Sequence, residues 1–344
     1  MTATVAVVGG GIAGAAAAWG LRDADADVTL FEATDALGGR MATRERDGCR
    51  YDYAANFLKG DDERVRSALR AAVGDELVTV EGDVRVFDAD RRISAGRTGQ
   101  APKFTTRRGV QGIVAAFARE SGATVALDAR VGHVARRADG WALSTAGGRE
   151  VRADALVLAL PASDAAGLLA DADWGHQLCP RLVAAIEGVP HRPVDSVVCH
   201  YPFRTEHPFY GLVATGEDHD VGWLSREECK PGHVPDGESL LVVQSSPRWT
   251  ATHPDADAET AGALAREAAA DLLDDERRRD PDWTDHARWA AAVPDGGVDP
   301  ALVERAVEDD LGLAGDWVAG VGRTYAALRT GLDAAANLER RLGD

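Results

Sequence analysis

The segment T-V-A-V-V-G-G-G-I-A-G, residues 4–14, constrains the fold more than any other stretch of the chain. Thr4 to Val8 is a short run rich in β-branched residues and ended by glycine, the pattern of a buried parallel strand. Gly9, Gly11 and Gly14 then fit G-x-G-x-x-G. The first glycine permits a tight turn, the second lets a pyrophosphate approach the backbone, and the third lets helix and strand pack closely. An Ala-rich helix is expected from Ile12 to about Arg22, so Ile12 and Ala13 lie in the first turn, where free amides and the helix dipole face the phosphates. A second strand, Val28 to Phe31, ends at Glu32, whose carboxylate is placed to accept from the adenosine ribose hydroxyls and to disfavour a 2′-phosphate. NAD and FAD share this half-motif, and the glycines alone leave both open.

A chain of 344 residues with 45% apolar content has material for two domains. The net charge of -18 argues against nucleic acid, because a phosphate backbone would be repelled by most of the surface. Only three of the 38 basic residues are lysines (Lys59, Lys103 and Lys230), and the acids number 56. This balance predicts a halophilic protein, whose dense carboxylate surface is screened by a salt-rich cytosol, with a merely acidic protein from a GC-rich genome as the alternative. Cys49, Cys179, Cys199 and Cys229 form no C-x-x-C pair, so reduced thiols are expected rather than a disulfide framework or a zinc site. No basic residue precedes the first apolar run, and neither an export signal nor a membrane span is read; the expected location is cytoplasmic.

The phrase E-A-T-D-A-L-G-G-R-M-A-T-R, residues 32–44, follows at once. It resembles the second signature of flavoproteins of the amine oxidase superfamily, and its extended form G-G-R-M-x-T-R is similar to that of the renalase-like group. The resemblance implies FAD, with Gly38, Gly39, Arg40 and Met41 at the pyrophosphate, where the forked guanidinium suits a diphosphate, and non-covalent attachment is expected because no cysteine lies near the terminal flavin-facing motif. C-R-Y-D-Y-A-A-N-F-L-K-G, residues 49–60, stands where renalase-like proteins read D-H-G-A-Q-Y-F. Asp52, Ala55 and Asn56 are the corresponding positions, and Asn56 is one methylene shorter than the usual glutamine. G-W-L-S-R-E-E-C-K-P-G-H (222–233) and V-V-Q-S-S-P-R-W-T (242–250) resemble renalase-type segments of the substrate domain.

The same resemblance implies further contacts. Backbone near Val131 and Val134, in an expected hairpin, would meet the adenine. Asp316, after Gly315, would serve the ribityl chain. Thr330 and Asp333 have capping-box spacing, and a helix opened there through about Arg341 would point its N-terminus, with Gly331 and Leu332, at the flavin. Arg329 is expected at the surface at least as much as near the ring. Lys230, in K-P-G, reads as a type II turn residue and Lys103 as surface. Trp223, on an apolar strand, and Asn56 are the candidates for shaping the reaction site.

The expected fold class is α/β: a Rossmann-like FAD-binding domain (1–75, 102–165 and 300–344) with an inserted mixed-sheet substrate domain (76–101 and 166–299). The resemblance implies an FAD-dependent oxidoreductase that oxidises a small molecule, a dihydronicotinamide dinucleotide isomer, by hydride transfer to flavin N5, with molecular oxygen as acceptor. An amine oxidase, a carotenoid-type desaturase and a protein retaining FAD without turnover stand as alternatives. No metal site is read, because the histidines lack ligand spacing.

Overall fold

The computed structural model describes residues 2–96, 101–216 and 219–343, so residues 97–100 of the expected 76–101 segment lie outside them. A parallel sheet of five strands is ordered Thr124–Ala126, Ala26–Phe31, Ala3–Val8, Ala155–Leu158 and Leu311–Leu313. Val5 to Val8 and the strand Ala155–Leu158 are apolar throughout because both faces are covered there. Val5, Val7, Ala155 and Val157 join one core with the helices Ile12–Gly20, Gln111–Glu120 and Thr324–Gly343. Ala6, Val8, Leu156 and Leu158 alternate to the other face, under the helices Ala162–Ala170 and Leu178–Glu187 and the hairpin sheet Val131–Arg137, Gly140–Thr145 and Glu150–Ala153.

Alanines in the first helix let the C-terminal helix come close. A Cβ on Gly331 would lie 2.2 Å from the Ala13 carbonyl oxygen, and one on Gly20 would lie 2.6 Å from the Ala335 Cβ. Gly14 has the packing role foreseen for the third glycine of the motif, since a Cβ there would lie 1.9 Å from the Gly9 carbonyl oxygen.

A mixed sheet of seven strands forms the second layer, ordered Trp283–Pro294, His191–Tyr201, Ser239–Ser245, Val221–Arg226, Phe209–Ala214, Asp83–Phe87 and Ile93–Ser94. The helix Ala258–Leu273, capped by the Asp257 carboxylate accepting from the Thr260 amide at 2.9 Å, packs on one face of this sheet. On the other face Val198, Leu240 and Val242 pack against Cys49 and Tyr51, while Val213, Trp223 and Gln244 line a cleft. A small antiparallel sheet, Leu58–Lys59, Lys103–Thr106 and Leu77–Thr79, adjoins it.

One expected boundary moves. The last helix starts at Thr324, not at Thr330. Ala326, Ala327, Leu328 and Arg329 are strong helix formers with no breaker among them, so the helix runs through the expected cap. The Thr330 hydroxyl bonds the Ala327 carbonyl at 2.9 Å and both backbone groups of Gly315, tying this helix to the turn before Asp316. Asp333 pairs instead with Arg64.

Candidate active site

Between the two large sheets lies a cleft of about 1290 Å³. It exceeds the roughly 300–1,000 Å³ of ordinary small-molecule sites, as a dinucleotide and a second ligand together would require. Its first half is built from the strand–turn–helix that opens the chain. Gly9 holds φ +113, and a Cβ there would lie 2.5 Å from the Ala159 carbonyl oxygen. At Gly11, by contrast, a Cβ would meet only the Gly38 carbonyl oxygen at 3.9 Å, so this glycine leaves its backbone open to the cleft. Glu32 is fixed on both oxygens: the Gly10 amide donates at 2.8 Å, and the Thr34 amide and hydroxyl donate at 2.9 Å.

Gly38, Gly39, Arg40 and Met41 line the same half. Gly38 and Gly39 have φ +143 and +54, which side-chain-bearing residues rarely adopt. Arg40 and Asp316, both expected at the cofactor, bind each other. The guanidinium donates to the two carboxylate oxygens at 2.9 and 2.6 Å and to the Ala292 carbonyl at 3.0 Å. Among the described residues its Nε–H has no hydrogen-bond partner. Gly315 precedes Asp316 with φ +150, and the Asp316 carboxylate also caps the Trp317 amide at 3.0 Å.

Three expected contacts are corrected. Val134 is fully buried in the hairpin core and does not line the cleft, because an irregularity between Val131 and His133 shifts the strand's alternation; Val131 and Gly132 do line it. Gly331 and Leu332 sit in mid-helix against the first helix, and the cleft is met instead by Thr324 and Tyr325 at the helix start. Arg329 takes the surface position that was one of the two expected for it, 3.9 Å from Asp62.

The second half of the cleft is a chamber on the seven-stranded sheet. Val86, Val213, Trp223 and Gln244 are cross-strand partners in one row, so their side chains share a face. Trp289 and Phe57 complete its aromatic walls, with Phe57 6.1 Å from Trp223 between ring centres. Asn56 lines the chamber with its amide nitrogen spent on the Asp52 carbonyl at 2.9 Å, which leaves its oxygen as an acceptor. Ala55 is held by its amide to the Arg40 carbonyl at 3.1 Å, and Ala54 accepts from Gln244 Nε2 at 2.7 Å.

Beneath this loop lies a charge network that sequence reasoning missed. The K-P-G turn forms as expected, with the His233 amide donating to the Lys230 carbonyl at 3.2 Å and Gly232 at φ +79. The Lys230 side chain, however, points inward and is fully buried, its ammonium 2.7 Å from Asp52 and 2.8 Å from Glu227. Burial alone would lower its affinity for the proton, but the two carboxylates outweigh it and the lysine is held above its ordinary value. Asp52 also accepts from the Thr43 hydroxyl at 2.6 Å and the Val110 amide at 3.0 Å, and its backbone receives Asn56. Asp52, Glu227 and His233 approach closely enough to hold a cation, and the Lys230 ammonium already lies between the two acids. Lys103 is also corrected, being 93% buried and lining the chamber rather than the surface. The scarcity of lysine in an arginine-dominated chain was the available signal.

Comparisons with known proteins agree with this geometry. Residues 7–72 match the model of an NAD(P)-binding Rossmann-like domain, and residues 81–338 that of a flavin containing amine oxidoreductase. Polyamine oxidase 5 of Oryza sativa subsp. japonica is 42% identical over 89 residues, 25% of this chain and 18% of that protein. Carotenoid 3,4-desaturase of Haloarcula japonica is 56% identical over 53 residues, 15% of this chain and 11% of that one. The match therefore spans less than a fifth of these curated relatives. Among solved structures, cyclohexylamine oxidase from Brevibacterium oxydans superposes with a TM-score of 0.76 at 16% identity, covering 100% of both chains. Putrescine oxidase bound to putrescine gives 0.75 at 15% identity, covering 99% of this chain and 100% of that one. At such identities the likeness is one of fold. Among the described residues no helix is long and apolar enough to cross a membrane.

Proposed function

The chain belongs to the flavin-containing amine oxidoreductase family, and we propose that it acts there as a renalase-like oxidoreductase on a reduced nicotinamide dinucleotide isomer. The residues present fit FAD: a glycine turn open at Gly11, a fixed ribose acceptor at Glu32, and a free Arg40 N–H beside the turn. When bound, FAD supplies the hydride acceptor, and oxygen is the acceptor from which hydrogen peroxide would form. The protein's part is to bind and orient.

The observation that carries this reading is the chamber itself. It is continuous with the dinucleotide groove and walled by the Val86–Val213–Trp223–Gln244 row, Trp289 and Phe57, flat surfaces suited to a planar heterocycle. The Asn56 oxygen supplies an acceptor for a carboxamide N–H. A dihydropyridine that loses hydride becomes aromatic without losing a proton, so no acid or base is required of the walls. A polyamine, in contrast, needs carboxylates, and Asp61 in the chamber is already paired with Lys59 at 2.6 Å.

Anaerobic stopped-flow bleaching of the bound flavin tests the reading, with dihydronicotinamide dinucleotide isomers, ordinary NADH, putrescine and spermidine as donors. Fast bleaching by the abnormal isomers supports it. Bleaching by amines alone would transfer the assignment to amine oxidation, and no bleaching by any donor would favour a protein that keeps FAD without turnover.

A further inference from the structure

Of three lysines in the chain, one is sealed in the Asp52–Glu227 network and the other two, Lys59 and Lys103, both line the donor chamber. The strands Leu58–Lys59 and Lys103–Thr106 pair antiparallel, with Lys59 directly opposite Lys103. Opposed residues present their side chains on one face, and like charges in that register repel. Lys59 is 40% exposed and has Asp61 as counterion. Lys103 is only 7% exposed, and among the described residues its ammonium has neither a hydrogen bond nor an ion pair. Burial pushes this lysine below its ordinary value; Asp83 opposes the shift and the charge of Lys59 adds to it.

A buried ammonium without a counterion is costly, and a second cation placed opposite makes it more so. The charge of Asp83 offsets it in part, without an ion pair to Lys103 among the described residues, and an anion bound between the two lysines would neutralise it directly. The phosphate-binding turn of the cofactor lies elsewhere, on the parallel sheet at Gly9 to Gly14, whereas these lysines belong to the small sheet beside the chamber. We propose that Lys59 and Lys103 are the two arms of an anion subsite in the donor chamber, which holds a carboxylate or phosphate group of the substrate. The inference rests on the chamber being the donor site, and it narrows the donor to an anionic class. It sets this chain apart from oxidases of cationic polyamines.

The test is calorimetric titration of the FAD-loaded protein with inorganic pyrophosphate and, separately, with benzoate, at constant ionic strength. Binding of one probe is expected to weaken at least tenfold in Lys103→Met, to be restored in Lys103→Arg, and to weaken less in Lys59→Gln. Loss for pyrophosphate identifies a phosphate site; loss for benzoate alone identifies a carboxylate site. Equal affinities in wild type and Lys103→Met for both probes, or no binding of either by wild type, overturn the proposal. Lys103→Met removes an uncompensated charge and should keep its flavin and melt no lower than wild type. Should it fail to fold, the half-exposed Lys59→Gln variant still decides, since unchanged binding there refutes a two-armed site. Neither probe can be oxidised, so this result stands apart from flavin bleaching: bleaching can fail with the subsite intact, and the reverse.

Discussion

Replacing Lys230 by methionine keeps the volume of the side chain and removes the cation that lies between two fully buried carboxylates. Breaking a buried ion pair costs about 3–5 kcal/mol, because the stranded charge cannot recover its hydration. The two acids are not equally exposed to the loss. Asp52 keeps the Thr43 hydroxyl and the Val110 amide, whereas Glu227 keeps the Asp52 amide at 3.2 Å and a His233 nitrogen at 3.5 Å. Glu227 is therefore the group that takes up a proton. In the native protein burial works to raise its affinity for protons, but Lys230 and His233 prevail and hold it below the ordinary carboxylate range. A depressed acid contributes stability that is present above its unfolded value and is lost as pH falls through its folded one.

In Lys230→Met the sign reverses, because burial then dominates and the folded acid titrates above its unfolded value. The variant is most stable below about pH 4.5 with respect to this group and loses up to about 1.4 kcal/mol per pH unit as pH rises toward the folded value. Equilibrium urea unfolding in molar salt at pH 5 and pH 8, followed by tryptophan fluorescence, measures this directly. The deficit against wild type should be about 3–5 kcal/mol at pH 8 and visibly smaller at pH 5. Adding Glu227→Gln should recover part of the pH 8 loss. A deficit below about 1 kcal/mol at pH 8, or one that grows as pH falls, would refute the electrostatic account of this network.

Gly331→Ala drives a methyl to 2.2 Å from the Ala13 carbonyl oxygen, and separating the two helices should cost about 1–3 kcal/mol with earlier release of flavin in a thermal melt; coincident melting and release curves for variant and wild type would count against it. Asp316→Asn removes the forked partner of Arg40, and charge-assisted bonds of about 1.5–3 kcal/mol predict FAD affinity at least tenfold weaker by fluorescence titration; unchanged affinity would mean that Arg40 is positioned by the Ala292 carbonyl alone. With a net charge of -18, the melting temperature should rise between 0.1 M and 2 M KCl, as the screening length falls from about 10 Å to under about 3 Å; an unchanged value would remove the halophilic reading.

The dinucleotide half of the site was legible because its determinants are local. A strand, a glycine turn, a helix and a terminal acid fall within residues 3–32, and each is forced by backbone geometry or by burial on two faces. Asp316 was reached through the family resemblance, but its pairing with Arg40 spans the chain and no local pattern announces it. The misplaced helix start shows the opposite weakness: Thr330 and Asp333 have cap spacing, yet uninterrupted helix formers before them and hydrogen bonds to Gly315 kept Thr330 inside the helix.

What the sequence by itself determined is therefore the nucleotide-binding unit and the α/β class, since alternation, turn glycines and a strand-end acid act over a few residues. The tertiary structure alone decided the chamber. Its wall is a row of residues from four strands, its support is a lysine held by acids 178 and 3 residues away, and its charge comes from two lysines set opposite each other across a strand pair. Burial without a counterion turns an ordinary lysine into a binding group, and burial is a property of the packed molecule that no short stretch of sequence carries.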